Sequence, residues 1–183
     1  MTSRRIRHSL WPAACAVAAL VVSALPAQAG GSDDLLPFRA GVTLFEFLGP
    51  PSSDCFLKAP VGGGAASGNI SGTGLSSAVG AFTLTSLDCI TSASPLLLPP
   101  LKFSSKQFVL TAANGDRITA EYSGKATALP NGYIALSGTY TFTSGTGRFA
   151  GVKGSGSIEG LEDIGSVPGT GNGFVLLTGK IDR

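Results

Sequence analysis

Tyr133-Ile-Ala-Leu-Ser-Gly-Thr-Tyr-Thr-Phe-Thr143 puts Ile134, Leu136, Tyr140 and Phe142 on one side and Ala135, Ser137, Thr139, Thr141 and Thr143 on the other. A period of two with apolar residues on one side is the pattern of a strand with one buried and one wet face. Val175, Leu177 and Ile181 repeat it near the C-terminus, with Phe174, Leu176, Thr178 and Lys180 opposite. Working outward, further strands are expected near residues 42–48, 65–73, 79–89, 101–112, 116–127 and 153–161, about eight in all. All 26 glycines follow Ala29 and separate short runs rich in Thr, Val, Ile, Phe and Tyr. This is the composition of strands joined by tight turns.

Asn114-Gly115 signals a hairpin, and its register follows from the side-chain period. A two-residue loop sets Phe108 opposite Glu121 and Leu110 opposite Thr119, mixing core with solvent. A three-residue loop of Ala113, Asn114 and Gly115 pairs Leu110 with Ile118 and Phe108 with Ala120, which keeps apolar residues together. The longer loop is therefore expected, with Gly115 in the left-handed conformation. Amphipathic antiparallel strands with no helices to cover sheet edges are best accommodated by closing the sheet into a small barrel, with a two-sheet β-sandwich as the alternative. An eight-stranded barrel has an interior that side chains just fill, or that holds one small ligand. An outer-membrane barrel fits less well, since there are no aromatic girdles and the chain ends Lys180-Ile-Asp-Arg183.

The N-terminus reads as an export signal. Arg4, Arg5 and Arg7 precede an uncharged, mostly apolar run of 13 residues from Ala13 to Leu25, and Ala27-Gln28-Ala29 offers small residues where a signal peptidase reads. The run is short for a membrane-spanning helix, which takes about 20 residues. Residues 1–29 are thus expected to be removed between Ala29 and Gly30, leaving residues 30–183 as a single domain, secreted or periplasmic, without a membrane span. Losing three arginines takes the 13 basic residues to 10 against 11 acidic ones. At a net charge near −1 there is no electrostatic case for nucleic acid. The only His, His8, leaves with the signal. A mature chain without imidazole excludes Ser-His-Asp and Cys-His nucleophile systems, His-ligated zinc and a His general base. No cofactor or metal site is expected. Cys55 and Cys89 remain, in a compartment that permits disulfides, and are expected to pair.

Gly145-Thr-Gly-Arg-Phe-Ala-Gly-Val-Lys-Gly154, preceded by Tyr140-Thr-Phe-Thr-Ser144, resembles the glycine signature of the allene oxide cyclase-like and dirigent-like β-barrels. Gly72-Thr-Gly-Leu-Ser-Ser-Ala-Val-Gly-Ala-Phe-Thr83 and Ala112-Ala-Asn-Gly-Asp116 are similar to segments of bacterial exported relatives of that group. Ser144 and Val152 depart from the usual glycine and alanine. The resemblance implies a barrel; for function it implies less, because one fold hosts unrelated activities. Plant cyclases of the group rearrange a fatty-acid epoxide in an apolar cavity, and dirigent proteins guide phenol radical coupling, but their active-site residues do not map onto this chain position by position. The signature itself reads as structure: Gly145 and Gly147 permit a tight turn, Phe149 plugs one end of the core, and Gly151 and Gly154 allow close backbone approach.

Among polar residues, Asp116, Arg117, Glu121, Arg148, Glu159, Glu162 and Asp163 are expected in turns and at strand edges, with Arg148 pairing a carboxylate across the barrel mouth. Glu159, Glu162 and Asp163 are the one group that could bind calcium weakly, although they fit no EF-hand spacing. Pro95-Leu-Leu-Leu-Pro-Pro-Leu101 is an apolar, proline-stiffened loop, either a lid or partner strip or a cap on the core. Tyr122, Tyr140, Phe142 and Arg148 are the candidates for a ligand cavity. The leading expectation is a non-enzymatic module for a small apolar or phenolic ligand. A solidly packed interior would instead mark a structural or surface-interaction domain. A cavity lined by Tyr122 or Tyr140 with a buried carboxylate would favour a cyclase- or isomerase-like enzyme. Oligomeric state is not legible.

Overall fold

In the computed structural model, which describes residues 35–182, the strand alternation read from the sequence is kept nearly without interruption. The expected signal segment, with its Ala29 and Gly30 junction, lies outside the described residues. Eight strands follow one another: β1 (Leu36–Gly49), β2 (Gly64–Ser76), β3 (Gly80–Ser92), β4 (Leu101–Ala112), β5 (Arg117–Ala128), β6 (Tyr133–Gly145), β7 (Lys153–Asp163) and β8 (Thr170–Asp182). Each pairs antiparallel with the next, and β8 pairs with β1, so the sheet closes into a barrel and leaves no edge. Among the described residues the only helix is a single 3-10 turn, Gly147–Phe149, and no helix is long and apolar enough to cross a membrane.

The β4–β5 hairpin has the three-residue loop. Leu110 faces Ile118, Phe108 faces Ala120, the Ala112 N–H donates to the Asp116 carbonyl at 2.8 Å, and Gly115 sits at φ 87°. Strands β1 and β8 begin earlier than residues 42 and 175, because barrel closure pairs Pro37 with Lys180 and Phe47 with Thr170.

The two ends of the barrel differ. At the end where β1 starts and β8 finishes, Phe38, Tyr140 and Phe142 pack edge-on or tilted at 5.1–6.0 Å between ring centres. Phe149, fully buried, closes that end from the β6–β7 connection. Gly147, at φ 56°, has no room for a Cβ, which would fall 1.8 Å from Asp116 Oδ1. A Cβ on Gly154 would fall 2.3 Å from the Lys180 carbonyl, whereas Gly151 has open space and is required for its φ of 82°. Arg148 joins three hairpins here. Its guanidinium donates to the Val79 carbonyl at 2.7 Å and lies 3.9 Å from Asp116, and its backbone N–H donates to Asp116 at 3.2 Å.

At the other end the connections are longer on average, up to the 14 residues between β1 and β2. The chain between β1 and β2 is fastened to the outside of β3 by a Cys55–Cys89 disulfide, with Cα atoms 5.1 Å apart. A disulfide of this kind fits an oxidising compartment. In the proline-rich loop, Leu97 (φ 55°) turns inward onto the core while Leu96 and Leu98 face solvent.

Candidate functional site

The longer-looped half of the barrel encloses a cavity of about 110 Å³. Its walls are the inward residues of the strands, among them Leu44, Leu84, Phe103, Phe108, Ile158 and Leu177, and Leu97 and Ile164 reach it from the loops. Three carboxylic acids break this apolar surface: Glu46 of β1, Asp88 of β3 and Glu162 of β7, each no more than 6% exposed.

The strand period puts them there. Glu46 follows Val42 and Leu44 on the inward face, Asp88 follows Leu84 and Ser86, and Glu162 follows Ile158 and Gly160. Glycines on the intervening strands make the space. Asp88 is the register partner of Gly68, and Glu46 of Gly171. A Cβ on Gly68 would fall 1.6 Å from Glu46 Oε1, and one on Gly171 2.1 Å from Glu162 Oε1. Acid, glycine, acid, glycine and acid therefore alternate across β3, β2, β1, β8 and β7. A larger residue at either glycine would displace a carboxyl group.

Asp88 is the best-satisfied of the three. The Tyr122 hydroxyl donates to its Oδ1, Ser86 Oγ donates to the same oxygen at 3.4 Å, and Ser86 also lies 3.0 Å from the Tyr122 hydroxyl and 2.8 Å from Ser105 Oγ. Phe103 and Phe108 hold the Tyr122 ring edge-on, at 6.0 and 5.2 Å between centres. By contrast, Glu46 and Glu162 each keep one carboxyl oxygen, Oε1, without a hydrogen-bond partner.

Burial dominates the protonation of all three acids, because a carboxylate loses its hydration there. Glu46 is pushed up to about 9 by desolvation and then by the charges of Glu162 and Asp88. Asp88 is raised well above the usual carboxylate range by desolvation and Glu162, against the opposing Ser86 hydrogen bond. Glu162 is raised by desolvation and drawn back by its interaction with Glu46. At neutral pH Glu46 thus keeps its proton, and among the described residues the lining adds one titratable group to the three acids, Tyr122.

Of the four cavity candidates named from sequence, Tyr122 alone lines the cavity. Tyr140 and Phe142 belong to the packed half, where burial raises the Tyr140 hydroxyl to about 12, and Arg148 lies at the turn beyond Phe149. The turn-and-edge expectation fails for Glu162, which points inward. It holds for Asp163, whose carboxylate accepts the Gly165 and Ser166 N–H groups at 2.9 and 3.1 Å. Adjacent strand residues point to opposite faces, so Glu162 cannot share an ion with Glu159 or Asp163, and no metal-holding group occurs among the described residues. Sequence reasoning missed Glu46 and Asp88. Their signal was an acid standing at an inward position of an otherwise apolar period.

No protein-family model matches the chain, and no curated protein matches it.

Proposed function

We propose that the chain is an exported barrel of the allene oxide cyclase-like and dirigent-like group that acts as a non-enzymatic binding module, holding one small, largely apolar ligand in its longer-looped half. The cavity carries this reading. Its walls are aliphatic and aromatic, its few polar groups converge from four strands, and a volume near 110 Å³ approaches the roughly 150 Å³ that accommodates benzene in an apolar core. The leucine of the proline-rich loop that faces the cavity serves as its cover.

A second reading, a cyclase- or isomerase-like enzyme, is favoured by one observation: Tyr122 and Asp88 form a buried hydrogen-bonded pair on the cavity wall, which also carries Glu46, an acid that holds its proton to about 9. Such groups are suited to proton transfer.

Paired native and denaturing mass spectrometry of the protein purified from its own host tests the proposal. The denaturing mass reports cleavage after Ala29, and two missing hydrogens report the disulfide. An extra mass that is lost on denaturation supports the binding module. A native species that stays bare with host lipid extract refutes it.

A further inference from the structure

The hydrogen-bonding inventory of the cavity is one-sided. Among the described residues its polar lining groups are Glu46, Asp88, Glu162 and Tyr122, with no lysine or arginine. Tyr122 already spends its proton on Asp88. Glu46 and Glu162, at 5% and 4% exposure, interact with each other, and each keeps one oxygen, Oε1, without a hydrogen-bond partner among the described residues. Buried polar atoms without partners are uncommon and costly, so these two mark where a bound molecule supplies what the protein does not. The complement of two unsatisfied carboxyl oxygens is a donor-bearing head, and a cationic one is held best because it converts a neighbouring acid to its carboxylate. A metal ion is the poorer match, since the three acids are spread over alternate strands and form no metal-holding group among the described residues.

We infer that the ligand is a small aliphatic amine, its apolar body against the leucine and phenylalanine walls and its ammonium between the carboxyl groups of Glu46 and Glu162. This rests on the ligand-holding reading above and names the ligand class. The size of the cavity limits an enclosed body to about four to six carbons. An ammonium has three donors, enough for both free oxygens and one more acceptor. Binding is proton-coupled: the amine enters with its proton, one neutral acid loses its proton to solvent, and the product is an ammonium–carboxylate pair.

Titration calorimetry of the mature protein with cyclopentylamine and with its neutral counterpart cyclopentanol, at pH 7 in phosphate and in Tris, tests this. The amine is expected to bind at least ten-fold tighter than the alcohol. The difference in heat between buffers should report release approaching one proton per amine bound. Glu46→Gln and Glu162→Gln should each lower amine affinity ten-fold or more, and by more than they lower affinity for cyclopentanol. Equal binding of amine and alcohol, or amine binding without proton release, overturns the amine assignment and leaves the apolar cavity standing. Binding of neither also overturns it, and the native mass then decides separately whether the barrel holds any ligand.

Discussion

Replacing Glu46 by Gln removes one titrating proton from the barrel wall at almost constant volume. Unfolded, Glu46 titrates near 4.5; folded, it holds its proton to about 9. The native state therefore binds the proton more tightly, and the stability this contributes is fully present below about pH 4.5 and lost as pH rises toward 9. The slope is about 1.4 kcal/mol per pH unit for each acid that keeps its proton. At pH 7 the wild-type chain takes up a proton on folding at a cost of about 3 kcal/mol, which Glu46→Gln does not bear. Urea unfolding followed by circular dichroism at pH 5, 6.5 and 8 should show wild-type stability falling with pH. The variant should have a slope shallower by one proton and be the more stable protein at pH 8. Wild-type stability that is flat or rises between pH 5 and 8, or a variant with the wild-type slope, would refute the assignment of a neutral buried Glu46.

The other expectations concern the frame around that site. Phe149→Ala should destabilise by about 3–5 kcal/mol in denaturant titration, since a fully buried ring at the closed end is replaced by a cavity. Gly147→Ala, which needs both a positive φ and the space of Asp116 Oδ1, should lower the melting temperature, whereas alanine at Gly80, also at a positive φ but in open space, should do so by the backbone term alone. Removing the disulfide by the Cys55→Ser, Cys89→Ser pair should cost about 3–4 kcal/mol on the loop-entropy account for a 34-residue separation. Tyr122→Phe strands Asp88 and Ser86 and should cost about 1–3 kcal/mol, with the loss read from urea midpoints at pH 5.

Most of the architecture was legible because it is local. Period-two alternation marks each strand, and the Asn114-Gly115 register follows from keeping Phe108 and Leu110 on the core side. The early starts of β1 and β8 were hidden by Pro37, Gly41, Gly171 and Gly173, which read as breakers until closure supplies partners on both sides. The acid site was illegible for a related reason. Glu46, Asp88 and Glu162 are separated by tens of residues and meet only through a closed sheet, while sequence proximity grouped Glu162 with Glu159 and Asp163, which face away. Gly68 and Gly171 read as generic strand glycines. Their role as clearance for carboxyl groups needs the register.

Strand order equal to chain order has a consequence for how the molecule assembles. Seven of the eight ladders join neighbours in sequence, and their loops are closed cheaply; only the pairing of β1 with β8 spans the whole domain. The long-range entropy of the fold is thus concentrated in one seam. Because Leu36 meets Ile181 at that seam, the two ends of the domain lie side by side. Joining them with a short linker and reopening the chain at Asn114 would turn the seam into an ordinary hairpin and move the slow closure to β4 and β5. The register would be untouched, and the order in which it forms would change.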